Sequence, residues 1–507
     1  MKISSSEIKA FSERSPAFEE MAASLHAGPK LARGMIGQTR EVIALCRKFC
    51  DEVVRPRALE IDKKLHEDPD YLDWDFVKKA NDWGFYTMWL PKAMGGGGYN
   101  FSSLSYAMEE IGSVCLAMAN LIGVHYLGFG TLTASGNMRI MQKLCRETVL
   151  GRKNGDPCLI TLAITEPGAG TDVEEVDLVD KAKLGCFAKR VEGGYIVNGS
   201  KVFISNGHLS KWHMLITYTD LKKPSESAVM MSIPNGLKGF SFGRHEKKMG
   251  QRACPASELL FDDCFVPDEY VALDNRVKQK FSRSQKEMTQ QMIDYVVSPS
   301  RAAVGAFGTG AARGAYEAAF KFASETVVDG ELYVNHEWVQ SWLAEMHKNV
   351  TLSRLVYAET NYANSLWGLY KDLHFEPMFS IMRRTPAFLS QKLFGSFLGK
   401  PGATEFMRER MFNDQSVCHQ CRTSGLASAA KFTGTDYGVK NCQMALMLMG
   451  GAGVRQDRGA EKILRDAKLL QIYEGTNQLN RLNLFKCLIA CGCKDACVFE
   501  EKEGGAA

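Results

Sequence analysis

Ile472-Tyr473-Glu474-Gly475-Thr476 places one carboxylate between an aromatic ring and a glycine. In an apolar, glycine-lined setting the charged form of Glu474 is disfavoured, which raises its pKa toward that of a working base. On a solvated surface the same residue is an ordinary acid, and the local sequence fits both readings. A second candidate is Glu166-Pro167-Gly168-Ala169-Gly170-Thr171-Asp172, directly after a strand-like run. No Gly-Lys-Ser/Thr follows it and the GxGxxG spacing is absent, so it is neither a P-loop nor a dinucleotide fingerprint. It fits a plain turn. It equally fits a loop whose backbone N–H groups, with the Thr165 and Thr171 hydroxyls, hydrogen-bond a planar heterocycle or a phosphate. Gly450-Gly451-Ala452-Gly453 reads, taken alone, as a helix terminator.

Composition narrows what such loops can serve. With 45% hydrophobic and 24% charged residues over 507 positions, the chain has ordinary globular usage, not disordered or collagenous usage. Its length suggests roughly three domains. The 62 basic and 58 acidic residues leave +4 with no long block of one sign, which argues against a nucleic-acid partner. No run approaching roughly 18 uncharged apolar residues is read along the chain, so no membrane span is expected. The segment Met1–Glu7 lacks the features of a signal or transit peptide, making a cytoplasmic protein the default. Fifteen cysteines, an odd number, read as reduced thiols. Cys418-x-x-Cys421 and the group Cys487, Cys491, Cys493 and Cys497 lack a complete metal or iron–sulfur spacing, so no metal is expected.

The elements that must position these residues fall into three blocks. Residues 1–36 are weakly patterned and read as an extension. Over 37–158, Val42, Leu45, Phe49 and Val53 recur at three- and four-residue steps, as in a helical domain, with Pro56 expected to end or kink the first helix. Over 159–282, short apolar, β-branched runs predict a barrel or sandwich, with Asn198-Gly199 as a hairpin turn. Over 283–507, a small-residue helix from Arg301 to Ala323, a helix from Trp338 to about Ala363 and another from Ala427 to Met449 predict a bundle. The stretch 366–424, with Pro377, Pro386 and Pro401, is irregular. The fold class is therefore α+β: helices, then a β-domain, then a helical bundle.

Several segments in this one order resemble the acyl-CoA dehydrogenase family. They are Leu162-Ala-Ile-Thr-Glu-Pro-Gly-Ala-Gly-Thr-Asp172, Val197-Asn-Gly-Ser-Lys-Val-Phe-Ile-Ser-Asn-Gly207, and Lys248-Met-Gly-Gln-Arg252 with Leu260-Phe-Asp-Asp263. Arg301 opening a small-residue helix, Met449-Gly-Gly-Ala-Gly-Val454, Leu464-Arg-Asp-Ala467 and Gln471-Ile-Tyr-Glu-Gly-Thr-Asn-Gln478 continue it. The likeness covers roughly residues 37–365 and 425–485. It implies FAD bound between the β-domain and the C-terminal helices, an acyl-CoA substrate oxidised to its 2-enoyl form, an electron-transfer flavoprotein as acceptor, and a homodimer or homotetramer. The family's base falls on Glu474. Its flavin contacts fall on Leu162, Ile164, Thr165, Gly170, Thr171, Phe203, Ser205, Gly451, Thr476 and Gln478. Its acyl-CoA contacts fall on Thr171, Arg301, Tyr473, Glu474 and Gly475. Ser300 stands where a few relatives place their base, which favours Glu474 in that role.

The resemblance also has gaps. Where relatives usually carry Arg-x-x-Phe-Gly reaching the FAD of a partner subunit, this chain reads Glu325-Thr326-Val327-Val328-Asp329-Gly330, and Met447 replaces the usual Gln. The stretch 366–424 reads as an insertion. On the same scaffold an acyl-CoA oxidase passes electrons to oxygen, and a non-catalytic member binds acyl-CoA or protein without turnover; related flavin monooxygenases typically lack the acidic base. The insertion and the cysteine content point to a cyclic, aromatic-derived or dicarboxylic acyl group.

Overall fold

The computed structural model describes residues 3–12, 22–413, 417–490, 493 and 496–499. Helix α1 (Gly34–Phe49) buries Val42, Cys46 and Phe49 along the face its periodicity marks out. Pro56 does not stop the chain. A π-turn over Cys50–Val54 continues directly into a helix over Arg55–Glu67, and the extra residue of that turn, just before Pro56, takes up the proline ring and its missing N–H. Helices α2 (Ser103–Gly112), α3 (Leu116–Ala134) and α4 (Met138–Lys153) follow. Contrary to expectation, α3 is long and apolar enough to cross a membrane, yet 83% of its apolar window is buried in the protein. A helix enclosed by protein all round has no polar face to show.

Among the described residues eight strands form the middle sheet: β1 (Leu159–Ala163), β2 (Phe187–Val191), β3 (Gly194–Ser205), β4 (Ser210–Tyr218), β5 (Ala228–Pro234), β6 (Phe240–His245), β7 (Ala256–Pro267) and β8 (Val271–Leu273). Their order is β6-β7-β3-β2-β4-β5-β8, with β1 beside β4. Pairing is parallel where β4 meets β1 and β2, and antiparallel elsewhere. The expected hairpin at Asn198-Gly199 is not there. β3 runs straight through it, and the turn lies at Glu192-Gly193 instead, joining β2 to β3. Gly199, at φ 125°, forms a bulge, because a Cβ there would sit 2.6 Å from the Cys186 Cα. Asn198 meanwhile pairs its amide with Asp263.

The C-terminal block is built on α5 (Gln285–Glu325), α6 (Glu337–Asn364) and α7 (Val417–Met449). α5 starts well before Arg301, at a capping box made by Ser284 and Glu287, and continues through Pro299. α5 and α7 cross on small residues. A Cβ on Gly305 would lie 2.6 Å from the Ala430 carbonyl, and Cβ atoms on Gly308 and Gly434 would enter the opposite backbone. Gly308→Ala is therefore expected to destabilise the protein by about 1–3 kcal/mol or more, read as a lower melting temperature. An unchanged melting temperature would remove the close crossing. Segment 325–330 forms a tight hairpin between β9 (Val327–Val328) and β10 (Glu331–Leu332), with positive φ at Asp329 and Gly330.

The inserted stretch is a series of short helical pieces. Pro377 and Pro386 precede Met378–Arg384 and Ala387–Ser390, and Pro401 opens Pro401–Asn413. Residues expected to be a loose extension clasp it: the Ala32 N–H donates to the His374 carbonyl at 2.9 Å, and Ala32 and Met35 pack on Phe379.

Candidate active site

The turn that carries Glu474 joins α8 (Ala460–Leu470) to α9 (Asn477–Leu484). Glu474 and Gly475 both have positive φ, 55° and 70°. Glutamate rarely adopts that conformation, so fixed partners must hold it. Lys431, reaching from α7, donates to the Gly475 carbonyl and to Asn477 Oδ1, each at 2.7 Å. Asn480 Nδ2 donates to the carbonyls of Glu474 and Gly475 at 3.2 and 2.9 Å. The Thr476 hydroxyl accepts from the Leu479 N–H at 3.2 Å and caps α9. Before the turn, the Gln251 N–H donates to the Asp466 carboxylate at 2.5 Å, and Gln251 Oε1 accepts from Asn120 at 3.0 Å and from the Tyr473 hydroxyl at 3.4 Å. The Lys248–Arg252 and Leu464–Ala467 segments thus act as the seat of this turn.

Glu474 lines a mainly apolar cavity of about 230 Å³ between the three blocks. The sheet side supplies Leu162, Ile164, Thr165, Phe203 and Ser205; α2 and α3 supply Met108 and Val124; α5 supplies Val296, Ser300 and Val304. Phe203, at φ 57°, keeps a ring 58% exposed at this wall. The inserted stretch also reaches in, through Tyr370. The Val202 N–H donates to the Thr165 carbonyl at 3.0 Å and Thr161 Oγ1 to the Ser205 carbonyl at 2.6 Å, which locks the two wall strands together.

Arg301, expected to touch substrate, lies behind this wall instead. It is 1% exposed, and its guanidinium donates to Glu174 Oε2 at 3.2 Å and Ser428 Oγ at 3.3 Å. Glu174 itself lines the cavity. The site therefore holds two carboxylates, Glu474 and Glu174, with Arg301 and Lys431 beside them. Sequence reasoning missed Glu174 and Lys431. The available signals were an acid two residues beyond Asp172 in a loop already singled out, and a lysine inside an otherwise small-residue helix.

Burial raises the Glu474 carboxyl to about 7, and the Glu174 charge adds to the rise; Arg301, a hydrogen bond from Ser300 and Lys431 oppose it. Although its side chain opens to the cavity, Glu474 is otherwise enclosed by protein, so the desolvation is real. Burial likewise lowers Lys431 to about 7 against the pull of Glu174. Other expected positions fall outside the cavity wall. Gly170 and Thr171 open the 3₁₀ turn over Thr171–Glu174 that delivers Glu174. Gly475 packs behind Glu474, and Gly451 and Gln478 are exposed. Among the described residues no group of His, Cys, Asp and Glu has metal-holding geometry; Cys491 lies outside them.

Three sequence profiles match in order: acyl-CoA dehydrogenase N-terminal domain over 38–152, middle domain over 161–264, and C-terminal domain over 291–365 and 406–489. The chain belongs to the acyl-CoA dehydrogenase family. It is 27% identical over 443 residues to a cyclohex-1-ene-1-carbonyl-CoA dehydrogenase of Syntrophus aciditrophicus, covering 87% of each chain. A chain solved in work on the electron transferring flavoprotein of Acidaminococcus fermentans superposes with TM-score 0.66 at 23% identity, covering 89% of this chain and 98% of that one. A glutaryl-CoA dehydrogenase from Mycobacterium smegmatis in complex with FADH2 gives TM-score 0.63 at 18% identity, covering 89% and 94%. As a family member the chain is an oxidoreductase acting on CH–CH groups with FAD as cofactor. The cavity fits that group: the half-exposed Phe203 ring and the apolar Leu162 and Ile164 suit a planar heterocycle, and Thr165 and Ser205 put hydroxyls beside it. Between the two stretches of the C-terminal match the family model leaves residues 366–405 unmatched.

Proposed function

We propose that this acyl-CoA dehydrogenase family member converts an acyl-CoA thioester to its 2-enoyl-CoA, with Glu474 taking the α-proton. FAD, when bound, supplies the acceptor for the β-hydride at flavin N5; the two electrons then pass to an electron-transfer flavoprotein. The observation that carries this reading is a carboxyl raised to about 7 on the wall of an apolar cavity. A carboxylate is a weak base toward a thioester α-proton, so the developing enolate charge needs a donor. Among the described residues no acceptor pairs with the Glu474 N–H, which leaves it for the thioester oxygen. Lys431 and Asn480 hold the turn so that base and donor come from one residue.

A cyclic acyl group is the substrate class we favour. The cyclohex-1-ene-1-carbonyl-CoA dehydrogenase relative supports it, as does a compact cavity bordered by Phe101, Tyr295 and Tyr370. Exposed apolar Met447, Val454 and Ile472 favour a homodimer or homotetramer.

The test is an anaerobic titration of the yellow holoprotein with cyclic, straight, branched and dicarboxylic acyl-CoAs. Bleaching by cyclic acyl-CoA at low stoichiometry is expected, with a reduction rate that rises as pH passes through about 7, because only ionised Glu474 accepts a proton. Protein that takes up FAD but is bleached by no acyl-CoA refutes dehydrogenation. Colourless protein that cannot take up FAD points to a non-catalytic member.

A further inference from the structure

We infer that residues 378–400 form a membrane-surface contact, an apolar face with basic neighbours that docks on an anionic lipid bilayer. In the helical run from Ala387 to Leu398, only Ser390 is buried, and the apolar side chains stand at the surface beside Gln391, Lys392 and Ser396. Ser390 is 4% exposed against the protein, whereas Phe388 is 73%, Leu393 58%, and Phe394 and Phe397 49% exposed. Met378 and Ile381, 46% and 51% exposed, flank the run.

Polar contacts fix that orientation. Gln142 Nε2 donates to the Gly395 carbonyl at 2.5 Å, and Lys92 Nζ donates to the carbonyls of Arg383 and Met382 at 2.7 and 3.2 Å. They hold the run on the surface of the protein. Single exposed apolar residues are ordinary, but seven within twenty residues, Leu389 included, mark an interaction site.

Charge decides the partner. From Met378 to Lys400 the chain carries no acid, although acidic and basic residues are nearly balanced overall; Arg383 is committed to Glu41 at 3.3 Å, so the positive charge of the segment is that of Arg384, Lys392 and Lys400. Two copies of this face would bring like charges together, which disfavours self-pairing. Phenylalanine and leucine bordered by lysine and arginine are what an interfacial helix presents to anionic headgroups. The contact is shallow and distinct from a span; the apolar α3 is buried.

Flotation of the full-length holoprotein with vesicles tests it. The protein is expected to float with equimolar phosphatidylglycerol and phosphatidylcholine and to stay behind with phosphatidylcholine alone. The triple variant Phe388→Ser, Leu393→Ser, Phe397→Ser should float at least about tenfold less. Lys392→Gln with Lys400→Gln should lose about fivefold per residue at low salt. Both variants replace exposed side chains, so melting temperature and flavin reduction by acyl-CoA should stay at wild-type values. Wild-type protein that ignores anionic vesicles overturns the proposal, as does flotation unaffected by the triple variant. Oligomers lost in the triple variant, with no vesicle binding by wild type, would assign the face to self-association instead.

Discussion

Glu474→Gln is expected to slow reduction of the bound flavin by acyl-CoA by about 10³-fold or more, with FAD and acyl-CoA still bound. A positioned general base contributes about 10²–10⁴-fold, and glutamine has the same shape but accepts no proton. Acyl-CoA binding rests on the cavity wall and the turn, neither of which the exchange disturbs. Rapid-mixing spectroscopy reads the rate, and near-normal reduction would remove Glu474 from the role. A second readout separates loss of the base from damage to the turn. The folded-state pKa of Glu474, about 7, lies above that of a free carboxyl, so the stability linked to its proton is present below the unfolded value and lost as pH rises through 7. Ionised, buried Glu474 therefore weakens the fold at pH 8. Glu474→Gln should melt higher than wild type at pH 8 and equally at about pH 4, below the unfolded carboxyl value; a turn broken by the substitution would melt lower at both.

Substituting the two partners of the Glu174–Arg301 pair should move the pH dependence of flavin reduction in opposite directions. Glu174 raises the Glu474 pKa and Arg301 lowers it. Glu174→Gln should therefore shift the rise in reduction rate to lower pH. Arg301→Gln should shift it to higher pH and depress the rate at neutrality, because two carboxylates then face each other without the guanidinium. Both variants lose stability, by about 3–5 kcal/mol, since each strands a charged group in or beside a buried site. Melting temperature alone cannot tell the two variants apart; the opposed pH profiles can. Shifts in the same direction would mean that neither charge acts on Glu474 and that the pair is structural only.

Much of the fold was legible because its signals are local. The three- and four-residue steps of Val42 and Phe49 specify α1, and short β-branched runs specify strands such as β1, since each element buries one face and spacing alone reveals which. The helical, sheet and helical order follows from those patterns. Glu474 was legible for a similar reason: a carboxylate between an aromatic and a glycine has few neutral explanations once neighbouring segments place it in a family. Local signals misled where distant groups decide. Asn198-Gly199 reads as a turn in isolation, but the Cys186 backbone and Asp263 make it a bulge within β3.

The sequence by itself determined the elements, their order and the candidate base. Only tertiary structure decided what surrounds that base. Glu174 and Arg301 are 127 residues apart and meet because α5 and α7 cross on glycines while a 3₁₀ turn swings Glu174 to the cavity. The same holds for the run from Ala387 to Leu398, whose apolar residues would ordinarily predict a core. Polar anchors from Gln142 and Lys92 hold the segment on the surface, which the spacing of its apolar residues does not reveal.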